Sequence, residues 1–450
     1  MKKRLGLLLA TGMLSFSMIL AGCGNSSKES GANGAGGASG AAETNDEAAT
    51  EETQKITVWA WDDNFNVAVM KTAAEYYKKL NPDANVEIEV ISNSKEDIYK
   101  KLQTGLASGG KSLPDICLIE DYSIYQYLNS YSKYFYPLND DVDYSQFSPY
   151  KVEVMTYNDK AYGIPFDAGV TGLFYRADYL EQAGFTAADL EDITWDRFIE
   201  IGKQVEEQTG VKMTVANGTN YSSLFRTMMQ SAGAWYCDSN GELTITNNEV
   251  LKESLETIKK MRDAGIILEC ADDSTLAGAI NDGTTASVIN AAWRVSTIKA
   301  EPEQSGKWAV ASTPRLNNAN SVNASNTGGS SWYVLDNGQD KGAIVDFLKA
   351  VYAGDIDFYS DILVNQGAVG TYLPAQEGKA YQTEDEFFGG QKVFAEFASW
   401  LPEVPSVMYG KNVPESNTAV NTALFSYLQG DITVEEALTQ AEDQLKNQIQ

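Results

Sequence analysis

Between Ile56 and Ile119 the chain alternates between two hydrophobic periods, and that alternation restricts it to one class of fold. Ile56-Thr57-Val58-Trp59-Ala60 is a β-branched, apolar run and predicts a strand. Val69 to Leu80 follows with the apolar spacing of an amphipathic helix, ended by Asn81-Pro82. Val86-Glu87-Ile88-Glu89-Val90 alternates as a strand, Glu96 to Ala107 is helical again, Gly109-Gly110 breaks it, and Ile116 to Ile119 is a third strand. Strands separated by helices form βαβ units, whose natural pairing is parallel with helices on the faces of the sheet. The fold class is therefore α/β.

A second series of elements begins at Gly172-Leu173-Phe174-Tyr175. It predicts helices near Phe198 to Glu207, Ser222 to Ala232 and Val250 to Ala264, and strands near Ala286 to Asn290 and Trp332 to Leu335. The chain closes on helices, Val420 to Leu428 and a last one in which Thr433 reads as an N-cap ahead of Glu435 and Glu436. Lys55 to Gln450 is 396 residues. That exceeds the ~250 to 300 at which single cores stop growing, so two domains are expected.

The first residues carry a different signal. Met1-Lys2-Lys3-Arg4 precedes an apolar run of 16 residues, Leu5 to Leu20, ending in Leu20-Ala21-Gly22-Cys23. The run is short of the ~20 needed to span a bilayer and has the basic start and small-residue end of a signal peptide. Its ending resembles the lipobox of bacterial lipoproteins, in which the cysteine is acylated and becomes the new first residue. Residues 1–22 are thus expected to be a signal peptide, and 23–54 a lipidated Cys23 with a flexible linker. The 31 residues from Gly24 to Gln54 are mostly Gly, Ser, Ala, Asn, Thr and Glu and hold almost nothing to bury. A coil of that length reaches roughly 30 Å, enough to hold a folded body clear of a membrane.

Composition narrows the chemistry. With 34 basic and 62 acidic residues the net charge is −28, and loss of Lys2, Lys3 and Arg4 takes it to −31. Nucleic acid is not expected as a partner, because phosphate binding requires a basic patch. Histidine is absent, which removes His-based nucleophilic triads, His-ligated zinc and the commonest general base. Beyond Cys23 the cysteines are Cys117, Cys237 and Cys270, with no CxxC spacing. Cys117 falls in an apolar strand and is expected to be a small buried hydrophobe; a Cys237–Cys270 disulfide stays open.

Several motifs then occur in order: Ile56-Thr57-Val58-Trp59, Leu113-Pro114-Asp115-Ile116, Tyr162-Gly163-Ile164-Pro165, Leu173-Phe174-Tyr175-Arg176-Ala177-Asp178-Tyr179-Leu180, Thr194-Trp195-Asp196, and Leu428-Gln429-Gly430-Asp431-Ile432-Thr433. Together they resemble the extracellular solute-binding proteins of carbohydrate ABC transporters, the group that includes maltose-binding proteins. The resemblance implies a two-lobed, periplasmic-binding-protein-like fold (type II), with parallel-rich sheets flanked by helices and a hinge crossed three times. It places the first lobe at 55–169 plus 326–370 and the second at 170–325 plus 371–450. It also implies a non-enzymatic role as a monomer: capture of a sugar or oligosaccharide outside the cytoplasmic membrane, then delivery by lobe closure to permease subunits with cytoplasmic ATPases.

A sugar presents hydroxyls that need polar partners and C–H faces that stack on aromatic rings, and in open α/β sheets ligands sit at the carboxyl ends of strands. Those ends here deliver Trp61, Asp62, Asp63 and Asn64 after the first strand, Glu120 and Asp121 after the third, and Asp167 on the crossing segment. In the second half the candidates are Tyr221, Trp293 and Arg294, with Tyr221 and Trp293 the aromatics that the resemblance sets against a sugar face. Gly328-Gly329 lets backbone approach a ligand, and Tyr372, Trp400 and Tyr409 are candidate rim aromatics. Trp59, Trp195 and Trp332 read as core.

Two other classes fit some of these residues. A surface glycoside hydrolase could pair Asp62 or Asp63 with Glu120 or Asp167 as acid and base. A non-sugar solute is the other; the carboxylates at the candidate positions favour a neutral or cationic one. No cofactor or metal is expected, since a metal held by clustered Asp and Glu would leave the aromatics idle. If Cys23 is acylated, Cys23→Ala releases the protein from membranes or leaves its precursor unprocessed, as fractionation and electrophoretic mobility would show; unaltered processing and membrane association would reject the anchor.

Overall fold

The protein is described by a computed structural model covering residues 53–449; the signal peptide, Cys23 and nearly all of the linker expected above lie outside those residues. Its first sheet has five strands, in the order Val86–Ser92, Gln54–Ala60, Ile116–Glu120, Ser330–Val334 and Gly163–Asp167. The three strands of the opening βαβαβ pair in parallel, as their alternation with helices requires. Ser330–Val334 comes from far along the chain and pairs antiparallel with both of its neighbours. Its first residue, Ser330, therefore lies opposite the last residues of two other strands, Glu120 and Asp167. One end of the sheet thus collects three strand ends and the turn that precedes Ser330.

Both faces of this sheet are covered, which explains the unbroken apolar run at Ile116–Ile119. Ile116 and Leu118 join the core beneath helices Asn66–Leu80, Gly342–Tyr352 and Ile356–Gln366. Cys117 and Ile119 face a separate cluster formed with Ile98, Leu102 and Leu106 of helix Lys95–Ala107 and Ile124 and Leu128 of helix Asp121–Tyr131. Trp332 and Tyr333 divide between the same two clusters, as period-two geometry demands.

A second sheet is made of Ser287–Ala291, Thr171–Arg176 and Trp308–Ser312, with Thr171–Arg176 central. Its pairings are antiparallel, so the expectation of parallel-rich sheets holds for the opening strands but not here. Beside it, Thr214–Asn217 and Ile267–Cys270 form a parallel pair. Helix Trp195–Thr209 begins where the Thr194 side chain accepts from the Arg197 N–H, and Trp195 is fully buried. The final helix, Val434–Gln448, starts with a reciprocal capping box between Thr433 and Glu436.

The chain passes from the first sheet to the second between Asp167 and Thr171 and returns between Ser312 and Ser330. Isolated bridges join Val170 to Asn326 and Asp167 to Gly370, so three distant segments run side by side where the sheets meet. Cys117, Cys237 and Cys270 are all buried and unpaired, and Cys237 Sγ donates to the Met408 carbonyl, so the disulfide left open does not form. Among the described residues no helix is long and apolar enough to cross a membrane.

Candidate ligand-binding cleft

The strand ends collected by the first sheet are shaped by short-range capping. Asn66 Oδ1 accepts from the N–H groups of Trp61 (3.1 Å) and Asp62 (3.2 Å), while Asp62 Oδ1 accepts from Asn64 (2.9 Å) and Phe65 (3.1 Å). These bonds fix the turn that leads from the first strand into its helix. The Trp61 ring meets Tyr99 edge to face at 5.8 Å. Tyr99 Oη accepts the Glu120 N–H (2.9 Å), and the Glu120 carboxylate takes Lys95 at 2.9 Å.

Behind those ends lies a buried charge network. Lys151 and Asp121 have no solvent-accessible side chain, and Lys151 Nζ donates to Asp121 Oδ1 (2.5 Å) and the Ser330 carbonyl (3.0 Å). The Ser330 N–H and hydroxyl both donate to Asp167 Oδ1, at 2.8 and 2.6 Å. Burial pushes the Asp121 carboxyl up to about 6 despite Lys151, with Asp167 and Glu120 adding to the rise. Asp167 is also raised, first by desolvation, against the opposing pull of Lys151 and the Ser330 hydrogen bonds.

The two glycines before Ser330 are required by geometry. Gly328 and Gly329 have φ of +86° and +89°; a Cβ on Gly328 would sit 3.2 Å from the Trp293 ring, and one on Gly329 2.7 Å from Asp121 Oδ2. Gly328 N–H donates to Tyr122 Oη (2.8 Å) and its carbonyl accepts from Asn326 Nδ2 (2.9 Å).

Trp293 comes from the other sheet, two residues beyond strand Ser287–Ala291, and its side chain stands where three cavities meet. The first, about 510 Å³, is lined by Trp61, Asp62, Asn64, Glu120, Asp167, Gly328 and Gly329. The second, about 340 Å³, is lined by Asn217, Asn220, Tyr221, Asp273, Asn290 and Arg294. The third, about 330 Å³, is lined by Lys95, Glu120, Tyr122, Arg226, Thr327 and Asn417. Each falls in the ~300 to 1,000 Å³ range of small-molecule sites. Arg294 is neutralised by Asp273, its Nη2 lying 2.7 Å from Oδ1.

Ten of the residues singled out from sequence thus share this cleft: Trp61, Asp62, Asn64, Glu120, Asp167, Tyr221, Trp293, Arg294, Gly328 and Gly329. Tyr221 contributes little free surface: it is 1 % exposed, and its hydroxyl is bonded to Glu269. Five lie elsewhere. Asp63 is exposed on the Asp62–Phe65 turn, and Asp121 is buried behind the wall with Lys151. Tyr372 stacks on Tyr359 at 5.7 Å and 24°, Trp400 packs against Phe397 and Gly172, and Tyr409 is buried between Tyr122 and Trp235. These three aromatics fill structure between elements and line none of the three cavities.

The residues missed by sequence reading are mostly amides and cations. Asn217 ends, and Asp273 follows, a strand too short to recognise, and Asn290 lies near the end of a strand that was recognised. Tyr122 stood beside Glu120 and Asp121, while Arg226 sits inside an otherwise amphipathic helix. The set of two indoles, several amides and carboxylates suits a polyhydroxylated ligand with apolar faces. Its carboxylates are already engaged: Asp62 caps a turn, Glu120 is ion-paired and Asp167 is held by Ser330. Among the described residues no group of three or more His, Cys, Asp or Glu is placed to hold a metal ion.

A two-lobed α/β architecture with a lined cleft where two sheets meet defines a binding protein of the solute-receptor class. The chain belongs to the bacterial extracellular solute-binding proteins, whose family model matches residues 72–356. It is 48% identical to the lactose-binding protein of Rhizobium radiobacter over 88% of this chain and 93% of that one. Among solved structures it resembles the sugar-binding protein MalE of Xanthomonas citri (TM-score 0.73, 16% identity, 88% and 98% of the two chains). It also resembles the galacto-N-biose-/lacto-N-biose I-binding protein of Bifidobacterium longum (TM-score 0.69, 20% identity, 89% and 97%).

The buried pair yields a stability prediction. Because Asp121 holds its proton more tightly folded than unfolded, its contribution to stability is full below about pH 4 and is lost as pH rises through about 6. Lys151→Met removes the one cation bonded to it among the described residues and should cost about 3–5 kcal/mol at pH 7, as for other broken buried pairs. Denaturant unfolding should show that deficit shrinking at pH 5, where the stranded carboxyl protonates; an equal deficit at both values would mean that the charge on Asp121 plays no part.

Proposed function

We propose that this chain is the substrate-binding component of an ABC importer and captures a sugar, with a β-galactoside such as lactose the first candidate. The observation that carries this is Trp293, an indole set at the junction of three cavities whose other walls are amides and carboxylates. Flat apolar surface beside hydrogen-bonding groups matches the two faces of a pyranose ring. Identity with a protein named as lactose-binding supports the galactoside choice. The ligand is released unchanged, because the cleft carboxylates are already committed to turns, ion pairs and strand ends.

The lobes of this reading are 55–169 plus 326–370 and 170–325 plus 371–450. Each of the two sheets described above falls within one of them, which supports the division. Trp61 and Trp293 then belong to opposite lobes, so ligand held by one recruits the other, and the closed form is populated according to its added contacts with ligand. That form is the one that docks on a permease driven by paired ATPases. An acyl group on Cys23 and the linker to residue 54 keep the receptor beside its membrane.

Thermal-shift measurements against lactose, maltose and arabino-oligosaccharides test the assignment, since a ligand at ~100 times its Kd stabilises the fold by roughly 2.7 kcal/mol. Trp293→Ala should weaken the sugar so identified by about 1–3 kcal/mol, roughly 5- to 150-fold, with circular dichroism unchanged. Chromatography after long incubation should return the sugar intact. A panel in which no sugar raises the melting temperature would reject the reading.

A further inference from the structure

The third cavity carries a charge that nothing else in the cleft repeats. Three cations line the cleft, and two are neutralised within it: Lys95 by Glu120 at 2.9 Å, and Arg294 by Asp273 at 2.7 Å. The third is Arg226, on helix Ser222–Ser231. Among the described residues it forms no ion pair; its Nε donates to the Ser222 carbonyl at 3.1 Å, and no hydrogen bond engages its two terminal nitrogens. Tyr122, Tyr236 and Tyr409 beside it carry no charge at neutral pH, and the charged groups that share its cavity, Glu120 and Lys95, are paired with each other. In a chain of net charge −28, an uncompensated guanidinium facing a cavity runs against the prevailing field.

Arg226 is also held in place. Its guanidinium carbon lies 4.7 Å above the Tyr122 ring. That ring is fixed from three sides: it stacks on Trp235 at 5.6 Å and 17°, meets Tyr409 edge-on at 4.8 Å, and accepts the Gly328 N–H on its hydroxyl. A guanidinium oriented by stacking, with its outer nitrogens free, is a preformed fork for a carboxylate. Trp293 borders the same cavity. A sugar ring against the indole could thus carry an acidic substituent toward the fork.

We propose that the cavity beside Tyr122 is a subsite for a carboxylate on the sugar, so that the preferred ligand is an acidic galactoside in place of a wholly neutral one. This rests on the sugar-binding reading above and refines it. The cleft is then polarised along its length, acidic at Asp62 and Asp167 and cationic at Arg226, which would also fix the direction in which a saccharide lies.

Calorimetry at about 150 mM salt, where the Debye length of ~8 Å screens the distant negative charge, tests this with lactose and its two C6-oxidised acids, the carboxylate placed on either ring. One acid should bind about tenfold or more tighter than lactose, because a bidentate carboxylate contact adds charge-assisted hydrogen bonds. In Arg226→Gln that ratio should fall to near one, whatever the variant does to lactose itself; in Arg226→Lys, which keeps charge but loses the fork, it should be intermediate. If Arg226→Gln does not fold, the lysine variant reads the same ratio. Lactose binding with neither acid favoured, or a preference that survives Arg226→Gln, would overturn the subsite while leaving sugar capture intact. Failure of lactose and both acids alike, with no sugar of the wider panel binding, would bring down both.

Discussion

The buried Lys151–Asp121 pair is the contact on which the geometry of the cleft depends. A charge pair with no solvent exposure must find its partners within the protein, and here the lysine makes a second hydrogen bond to the Ser330 carbonyl while Asp121 Oδ2 has no partner among the described residues. Ser330 in turn satisfies Asp167 twice. One ammonium group therefore joins the ends of three strands, those finishing at Glu120 and Asp167 and that beginning at Ser330. The Gly328-Gly329 turn enters this junction at positive φ, and no side chain fits between it and either Asp121 or Trp293. A hydrophobic substitute for the pair could match its volume but not the position of the turn.

From that junction a polar chain runs toward the second sheet. Tyr150 donates to Asn326 Oδ1 at 3.3 Å, Asn326 Nδ2 reaches Gly328 and Tyr409, and Tyr409 donates to Gln230 at 3.0 Å. Gln230 lies on the same helix as Arg226. The floor of the cleft and the helix that bounds its cationic end are thus linked through side chains in hydrogen-bond contact. Tyr409 was expected from sequence as a rim aromatic; its position at the centre of this chain explains why an aromatic with a hydroxyl stands there.

How far the sequence could be read follows from the range over which each feature is determined. The opening strands and helices were legible because their apolar spacing is local, and the structure extends each of them by a few residues at most. The strand Trp308–Ser312 was not: Trp-Ala-Val-Ala-Ser has small residues and no flanking contrast, and it becomes a strand by pairing with Thr171–Arg176, well over a hundred positions away. The same holds for Thr214–Asn217 and Ile267–Cys270, each four residues long. At the site, residues at or just beyond strand ends such as Trp61, Glu120 and Trp293 were found because strand polarity places them. Tyr372 and Trp400 were not distinguishable from these, since an aromatic at the end of a helix does not state which side it faces. Lys151 was invisible for the opposite reason: a lysine on a short helix reads as exposed until Asp121 is known to lie beside it.

Net charge and local charge also part company here. The carboxylates at the candidate positions pointed to a neutral or cationic ligand, and Asp62, Glu120 and Asp167 do line the cavity at Trp61. The agreement ends at Trp293. On its far side Glu120 is already matched by Lys95, and the residual charge belongs to Arg226. A charge sum over 450 residues sets solubility and long-range repulsion, which salt screens within about a nanometre. Selection among ligands is decided inside that distance, by the charges that line each cavity, and among the described cations of this cleft the one without a counter-ion is the Arg226 guanidinium.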